Sequence, residues 1–287
     1  MKILLFFIDG FGIGDKNNLK NPFLKANTPI LDEISTHNLG TYIKTDVSMK
    51  VTGLPQSATG QTALLTGKNA AKAMGRHKSG FPGPTLIEII SKFNIYKQLS
   101  KFNLSSTFAN AYTKSYVEKV YKNKKRASVT TQCLLHSNNE FRFLEDIKNN
   151  NAVYQDFTNK ILRDKGHNIP VFSPEKAANN LSKICLNHDF TLYEFFQTDK
   201  AGHSQNMNFA LKTLENLDKF LKQLIQNLEN MVTIIITSDH GNIEDLSIKT
   251  HTKNKVPTII IGKQKLDLKK SIKTITDITP AIISELK

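Results

Sequence analysis

Three carboxylates and three imidazoles stand where a folded chain can gather them. Asp9 ends the apolar run Ile3 to Ile8. Asp199 and His203 lie four residues apart in Asp-Lys-Ala-Gly-His, a spacing that aims both side chains the same way on one helical turn. Asp239 and His240 are adjacent after Val232 to Thr237, and His251 precedes Val256-Pro257. Six such groups cannot share a cleft unpaired, because mutual repulsion of the carboxylates raises their pKa values or opens the site. Divalent cations remove the conflict. Mixed carboxylate and imidazole donors suit Zn²⁺ or Mn²⁺ better than Ca²⁺ or Mg²⁺. Two such ions about 4 Å apart clamp the entering and leaving oxygens of a phosphoryl transfer.

A nucleophile for that chemistry is offered by Gly53-Leu54-Pro55-Gln56-Ser57-Ala58-Thr59-Gly60-Gln61. A turn of small residues leads into a helical stretch, so Ser57 sits near a helix N-terminus, which favours a developing anion. A metal-bound hydroxyl also loses its proton more easily. Thr59 is a second candidate, and Thr62 lies further along the helix. Taken singly, Ser57 reads equally as a helix cap and each Asp as a turn residue. The combination carries the argument. Gly75-Arg76-His77-Lys78-Ser79-Gly80 concentrates cations between glycines, and Arg76 or Lys78 is expected to contact a substrate phosphate. His37, His77, His136, His167 and His188 read as packed or surface residues.

The elements that must position these groups follow from hydrophobic pattern. Ile3 to Ile8, Thr191 to Phe196, Val232 to Thr237 and Pro257 to Ile261 are short apolar runs, with Leu104 to Ala109 a weaker fifth. Such runs fit strands buried on both faces of a parallel sheet. Asn208 to Leu228 carries a helical stripe, and Ala58 to Thr66 and Pro84 to Phe93 also read as helices. Alternation of the two types predicts a doubly wound, mostly parallel α/β sheet with helices on both faces. Ligands in that architecture bind at the carboxyl ends of strands, where Asp9, Asp199 and Asp239 fall. Residues 1–287 read as one domain, with 111–170 as a small cap insertion.

The chain has 287 residues, 39% of them hydrophobic, enough for an ordinary core. Its net charge of +14 fits a Lys-rich surface, and it also leaves open a basic module that binds nucleic acid or another anionic surface. The lysines are scattered, however, and no nucleic-acid motif accompanies them. Cys133 and Cys185 cannot form a disulfide framework. No apolar stretch approaches bilayer length, so a cytoplasmic protein is expected, with no membrane partner.

The five motifs Ile8-Asp9-Gly10-Phe11-Gly12, Ser57-Ala58-Thr59-Gly60, Asp199-Lys200-Ala201-Gly202-His203, Ser238-Asp239-His240-Gly241-Asn242 and His251-Thr252 resemble, in this order, the alkaline phosphatase superfamily. The branch they are most similar to is the metalloenzyme domain of cofactor-independent phosphoglycerate mutase and phosphopentomutase. The resemblance implies that Asp199, His203 and His251 hold one metal and that Asp9, Asp239 and His240 hold the other. Ser57 would reach both metals and become transiently phosphorylated, with manganese or zinc as the cations. Two departures matter. Gln61 stands where the mutase pattern has histidine, and the interval from Ser57 to Asp199 is too short for the mutase's large second domain. A phosphoenzyme under a reduced cap is open to water. The expected activity is therefore a phosphohydrolase, phosphatase or phosphodiesterase, acting on a small phosphorylated metabolite, with a phosphomutase as the alternative.

Overall fold

The computed structural model describes residues 1–36, 38–262 and 271–287. His37 lies outside the described residues. Eight strands are present among them: β1 (Ile3–Ile8), β2 (Thr41–Thr45), β3 (Ser106–Phe108), β4 (Ala111–Tyr112), β5 (Arg142–Phe143), β6 (Phe190–Phe195), β7 (Thr233–Thr237) and β8 (Val256–Ile261). Six form one sheet in the order β2-β8-β7-β1-β6-β3. The pairs β1–β6, β1–β7 and β3–β6 are parallel. β8 runs antiparallel to β7, and β2 antiparallel to β8. Residues 238–255 return to the sheet without a crossover helix, which is why the direction reverses there.

β1 shows why its sequence is apolar without alternation. Ile3, Leu5 and Phe7 pack into a cluster with Ala58, Leu64 and Leu65 of the helix Ser57–Thr66. Leu4, Phe6 and Ile8 pack on the opposite face with Leu214, Leu217 and Phe220 of the helix Met207–Leu228. A strand covered on both faces leaves little room for polar residues. The runs that identify β1, β6, β7 and β8 all come from this central position. β2, β4 and β5 are not legible in that way. β2 is an edge strand whose Tyr42, Ile43 and Lys44 are not buried, and β4 and β5 are two residues each.

The buried residues of 111–170 divide among the core clusters. Val129, Cys133 and Leu134 of the helix Val129–Leu135 belong to the main core. Ala111, Ile147, Ala152, Leu162 and Ile169 form a small cluster of their own. That cluster is tied to β6 at three points. Asn110 Nδ2 donates to the Glu194 carbonyl at 2.7 Å, and Glu194 N–H donates to Asn110 Oδ1 at 2.9 Å. The Tyr193 hydroxyl donates to the Tyr154 carbonyl at 2.8 Å. The Val153 N–H donates to the Ala109 carbonyl and the Ala111 N–H to the Val153 carbonyl, each at 2.9 Å, which extends the seam.

Candidate metal centre

All six predicted ligands meet beyond the carboxyl ends of β1, β6 and β7. Asp9 directly follows β1, and its N–H donates to the Phe195 carbonyl at the end of β6. Asp199 and His203 occupy the helix Gln197–Ser204, one turn apart, with His203 Nε2 3.4 Å from Asp199 Oδ2. His240 Nε2 lies 3.2 Å from Asp9 Oδ1 and 3.4 Å from Asp239 Oδ2. His251 Nε2 lies 3.5 Å from Asp199 Oδ1 and 3.3 Å from His203 Nε2. The rings of His240 and His251 stack with centroids 3.6 Å apart, joining the two halves.

Ser57 opens its helix with the hydroxyl 3.0 Å from His240 Nε2. The helix reaches this position because Gly60 has no side chain: a Cβ there would meet the Asp239 carbonyl oxygen at 2.8 Å. Gly10 serves the same purpose after β1, at φ +69°, where a Cβ would lie 2.9 Å from the Asp199 backbone. Gln61, the residue that departs from the mutase pattern, donates from Nε2 to Asp9 Oδ2 at 3.3 Å.

Surrounding groups fix which atoms face inward. His203 Nδ1 is 2.8 Å from the Lys249 carbonyl and His251 Nδ1 is 3.0 Å from the Pro55 carbonyl, so each ring donates outward and turns the Nε2 lone pair to the centre. Asn242 Nδ2 donates to Asp199 Oδ1 at 2.7 Å. Buried Glu244 receives the N–H groups of Gly12 and Asn242 and the Thr252 hydroxyl, which binds three of the motif loops together.

The cluster is short of positive charge. Burial first, then Asp239 and Asp199, push Asp9 up to about 8. Asp239 rises to about 6, again chiefly by burial. Burial opposes the charged form of His240, but Asp239 and then Asp9 outweigh it and hold the ring up to about 10. Burial and then His240 push His251 down to about 4. Both carboxylate oxygens of Asp239 and Oδ1 of Asp9 are buried without a hydrogen bond. An orphaned buried carboxylate is strongly unfavourable, and a cation relieves it. Two groups, Asp9-Asp239-His240 and Asp199-His240-His251, have ligand atoms within 4.8 Å of one another. The donor set therefore fits divalent metals.

A cavity of about 690 Å³ leads from Asp9 and Ser57 toward residues 108–167. Arg76 and Lys78 do not line it. The Lys78 backbone instead bonds to Thr59 at both N–H and carbonyl, bracing the helix Ser57–Thr66. Four basic residues that the sequence does not single out line it instead: Lys119, Lys165, His167 and Lys200. Lys200 also lies over the Phe196 ring at 4.6 Å. Glu194 is likewise unmarked by the sequence reading. It is 8% exposed, accepts a hydrogen bond from Thr130 Oγ1 at 2.8 Å on Oε2, and lines the same cavity. Burial, helped by Asp9, pushes it up to about 8. A charged residue inside the apolar run Thr-Leu-Tyr-Glu-Phe-Phe is the signal that could have found it.

The model of the Metalloenzyme superfamily matches residues 1–287. The 2,3-bisphosphoglycerate-independent phosphoglycerate mutase of Mycoplasma pneumoniae is 30% identical over 125 residues, covering 40% of this chain and 24% of that protein. The match thus spans about a quarter of the relative's length. The fold is similar to that of the PH0037 protein from Pyrococcus horikoshii (TM-score 0.64, 15% identity, covering 99% of this chain and 96% of that one). It is also similar to the alkaline phosphatase from the Antarctic bacterium TAB5 (TM-score 0.55, 12% identity, covering 100% and 98%). A mutant of the latter was solved with Mg bound in the M3 site (TM-score 0.50, 12% identity, covering 99% and 96%).

Proposed function

The chain belongs to the Metalloenzyme superfamily, and from that premise we propose that it is a metal-dependent phosphohydrolase acting on small phosphorylated metabolites through a phosphoserine. The observation that carries this reading is the Ser57 hydroxyl, 3.0 Å from His240 Nε2, at a helix N-terminus on the floor of a cavity shared with Asp9. In this reading Asp199, His203 and His251 hold one divalent ion, and Asp9, Asp239, His240 and the Ser57 hydroxyl hold the other. The nitrogen-rich first set suits Mn²⁺ or Zn²⁺. When bound, the metals acidify the serine hydroxyl and a water and neutralise charge on the phosphoryl oxygens.

The chain's own residues then act in sequence. The helix Ser57–Thr66 presents Ser57 Oγ to the phosphoryl group from its first turn, where the helix dipole favours a developing anion. The Oγ–P bond forms as the ester O–P bond breaks, and the alcohol leaves with a proton. In the second half a water oxygen bonds to phosphorus, the Oγ–P bond breaks, and free phosphate departs with Ser57 restored. Hydrolysis is favoured over mutase chemistry by residues 111–170, whose separate core is five buried residues. A mutase must shield its phosphoenzyme while the substrate turns over. The cavity here is rimmed by exposed lysines rather than closed by a second domain.

A screen of phosphomonoesters and diesters with Mn²⁺, Zn²⁺ and Mg²⁺ tests the proposal, with free phosphate and isomerised ester measured side by side. Release of phosphate that Ser57→Ala abolishes is the expected result. Isomer formation without phosphate release would replace the hydrolase by a mutase, and unchanged turnover in Ser57→Ala would remove the nucleophile.

A further inference from the structure

The metal centre accounts for one end of the cavity and leaves the other unexplained. Lys119, on the helix Lys114–Lys122, and Lys165 and His167, just after the helix Lys160–Asp164, line the same cavity. These come from two separate elements, and Lys200 joins them from beside the metal centre. No ion pair between any of these lysines and a carboxylate is present among the described residues, although three surface lysines elsewhere have one. The volume of about 690 Å³ falls within the range of about 300–1,000 Å³ typical of small-molecule sites, and is several times what a single phosphoryl group fills.

We propose that the substrate carries a second phosphate-like dianion, which Lys119, Lys165 and His167 bind at the end of the cavity remote from Ser57. This inference rests on the reading of Ser57 as the phosphoryl acceptor and adds the class of substrate. Three basic side chains without a counter-ion match a dianion better than a single carboxylate. Lysine also serves as a point-charge contact for phosphate without demanding fixed geometry. Tyr112 and Tyr116, stacked on one another with ring centroids 5.5 Å apart, line the wall of the same cavity, with their hydroxyls at Thr131 Oγ1. An apolar spacer between the two anions fits against that wall. The metabolite is thus read as a short bisphosphorylated alcohol, of which one ester is cleaved at Ser57.

The test compares the Mn²⁺-loaded protein on 1,3-propanediol bisphosphate, propyl phosphate and 3-phosphooxypropanoate. We expect kcat/KM for the bisphosphate to exceed that for propyl phosphate by about tenfold or more, through KM, as charge-assisted contacts do. The Lys119→Met/Lys165→Met protein should bring the ratio toward one, and Lys119→Arg/Lys165→Arg should retain most of it. Equal kcat/KM on the bisphosphate and propyl phosphate, a preference for the carboxylate, or a ratio that survives the double Met change would overturn the proposal. Calorimetric titration of metal-loaded Ser57→Ala with the bisphosphate and propyl phosphate reads the same preference without turnover. Absence of hydrolysis on every ester would sink the phosphohydrolase reading. Tighter bisphosphate binding in that titration would still uphold the dianion site, and equal binding would overturn it.

Discussion

The metal centre and the basic wall of the cavity are built by opposite means. At the centre, Asp9, Asp239, His240 and His251 are buried, and three carboxylate oxygens have no hydrogen bond. Away from it, Lys119 and Lys165 are exposed, Lys165 just after a helix whose Leu162 belongs to a cluster of five buried residues. Burial makes the first region costly without its metal and highly specific in residue type. Solvation makes the second cheap, tolerant and free to vary. Chemistry is fixed where water is excluded, and selectivity is assigned where it is not.

Four measurements sharpen or break that contrast. Ser57→Ala should lower kcat by at least about 10³-fold, since no second hydroxyl replaces a nucleophile at the helix start. A residual rate within tenfold of the parent would place the attacking group elsewhere, with Thr59 next to test. Asp239→Asn should weaken metal binding by at least about 100-fold, more than loss of an outer-shell partner. Equilibrium dialysis with Mn²⁺ reads this directly. Unchanged affinity would show that the orphaned carboxylate is not a ligand.

The third measurement concerns pH in the chelated protein. Asp9 and Glu194, pushed up to about 8, keep protons that the unfolded chain releases near pH 4. Folded protein therefore binds more protons, and stability falls as pH rises through that window. His240, held up to about 10, acts in the same direction above pH 6.5, while His251, down to about 4, opposes it only below that value. Between pH 6.5 and 8 the melting temperature should drop by several degrees. Each raised carboxyl contributes up to about 1.4 kcal/mol per pH unit. Mn²⁺ should flatten the curve, and Glu194→Gln should shrink the drop without metal. A melting temperature that rises over this window in the chelated protein would contradict the electrostatic account.

The smallest effect belongs to the far region. Ile147→Ala removes a fully buried side chain from the five-residue cluster. Ile236→Ala does the same in β7. The latter should cost about 2–5 kcal/mol globally. The former should raise KM a few-fold with a smaller loss in melting temperature. Equal losses would mean the two regions unfold as one.

What is legible in the sequence follows the same divide. The central strands announce themselves because both faces are covered, and five of the six ligands stand out because each follows such a run within three residues or sits at helical spacing from one that does, while His251 stands ahead of one. Gly10 and Gly60 belong to the sequence motifs, but only the structure shows that a side chain at either would strike Asp199 or Asp239. Glu194 escapes a search of residues after strands because it lies inside one. Lys119, Lys165 and Lys200 cannot be told from the other members of a set of 39 Lys and Arg, since nothing local marks a lysine that the fold will turn toward a cavity. His167 reads as a packed or surface residue for the same reason. Arg76 and Lys78 look functional by their glycine flanks, yet the Lys78 segment braces the helix Ser57–Thr66 through its backbone and neither residue lines the cavity.

The Pro55 carbonyl, two positions ahead of Ser57, is what the His251 ring leans on. A loop graft that moves this peptide by even part of a hydrogen-bond length would rotate an imidazole that lies 196 positions downstream. The segment 53–56 and the stretch around 251 are therefore a single transplantable part, and chimaeras that exchange one without the other should keep their fold and lose their ion.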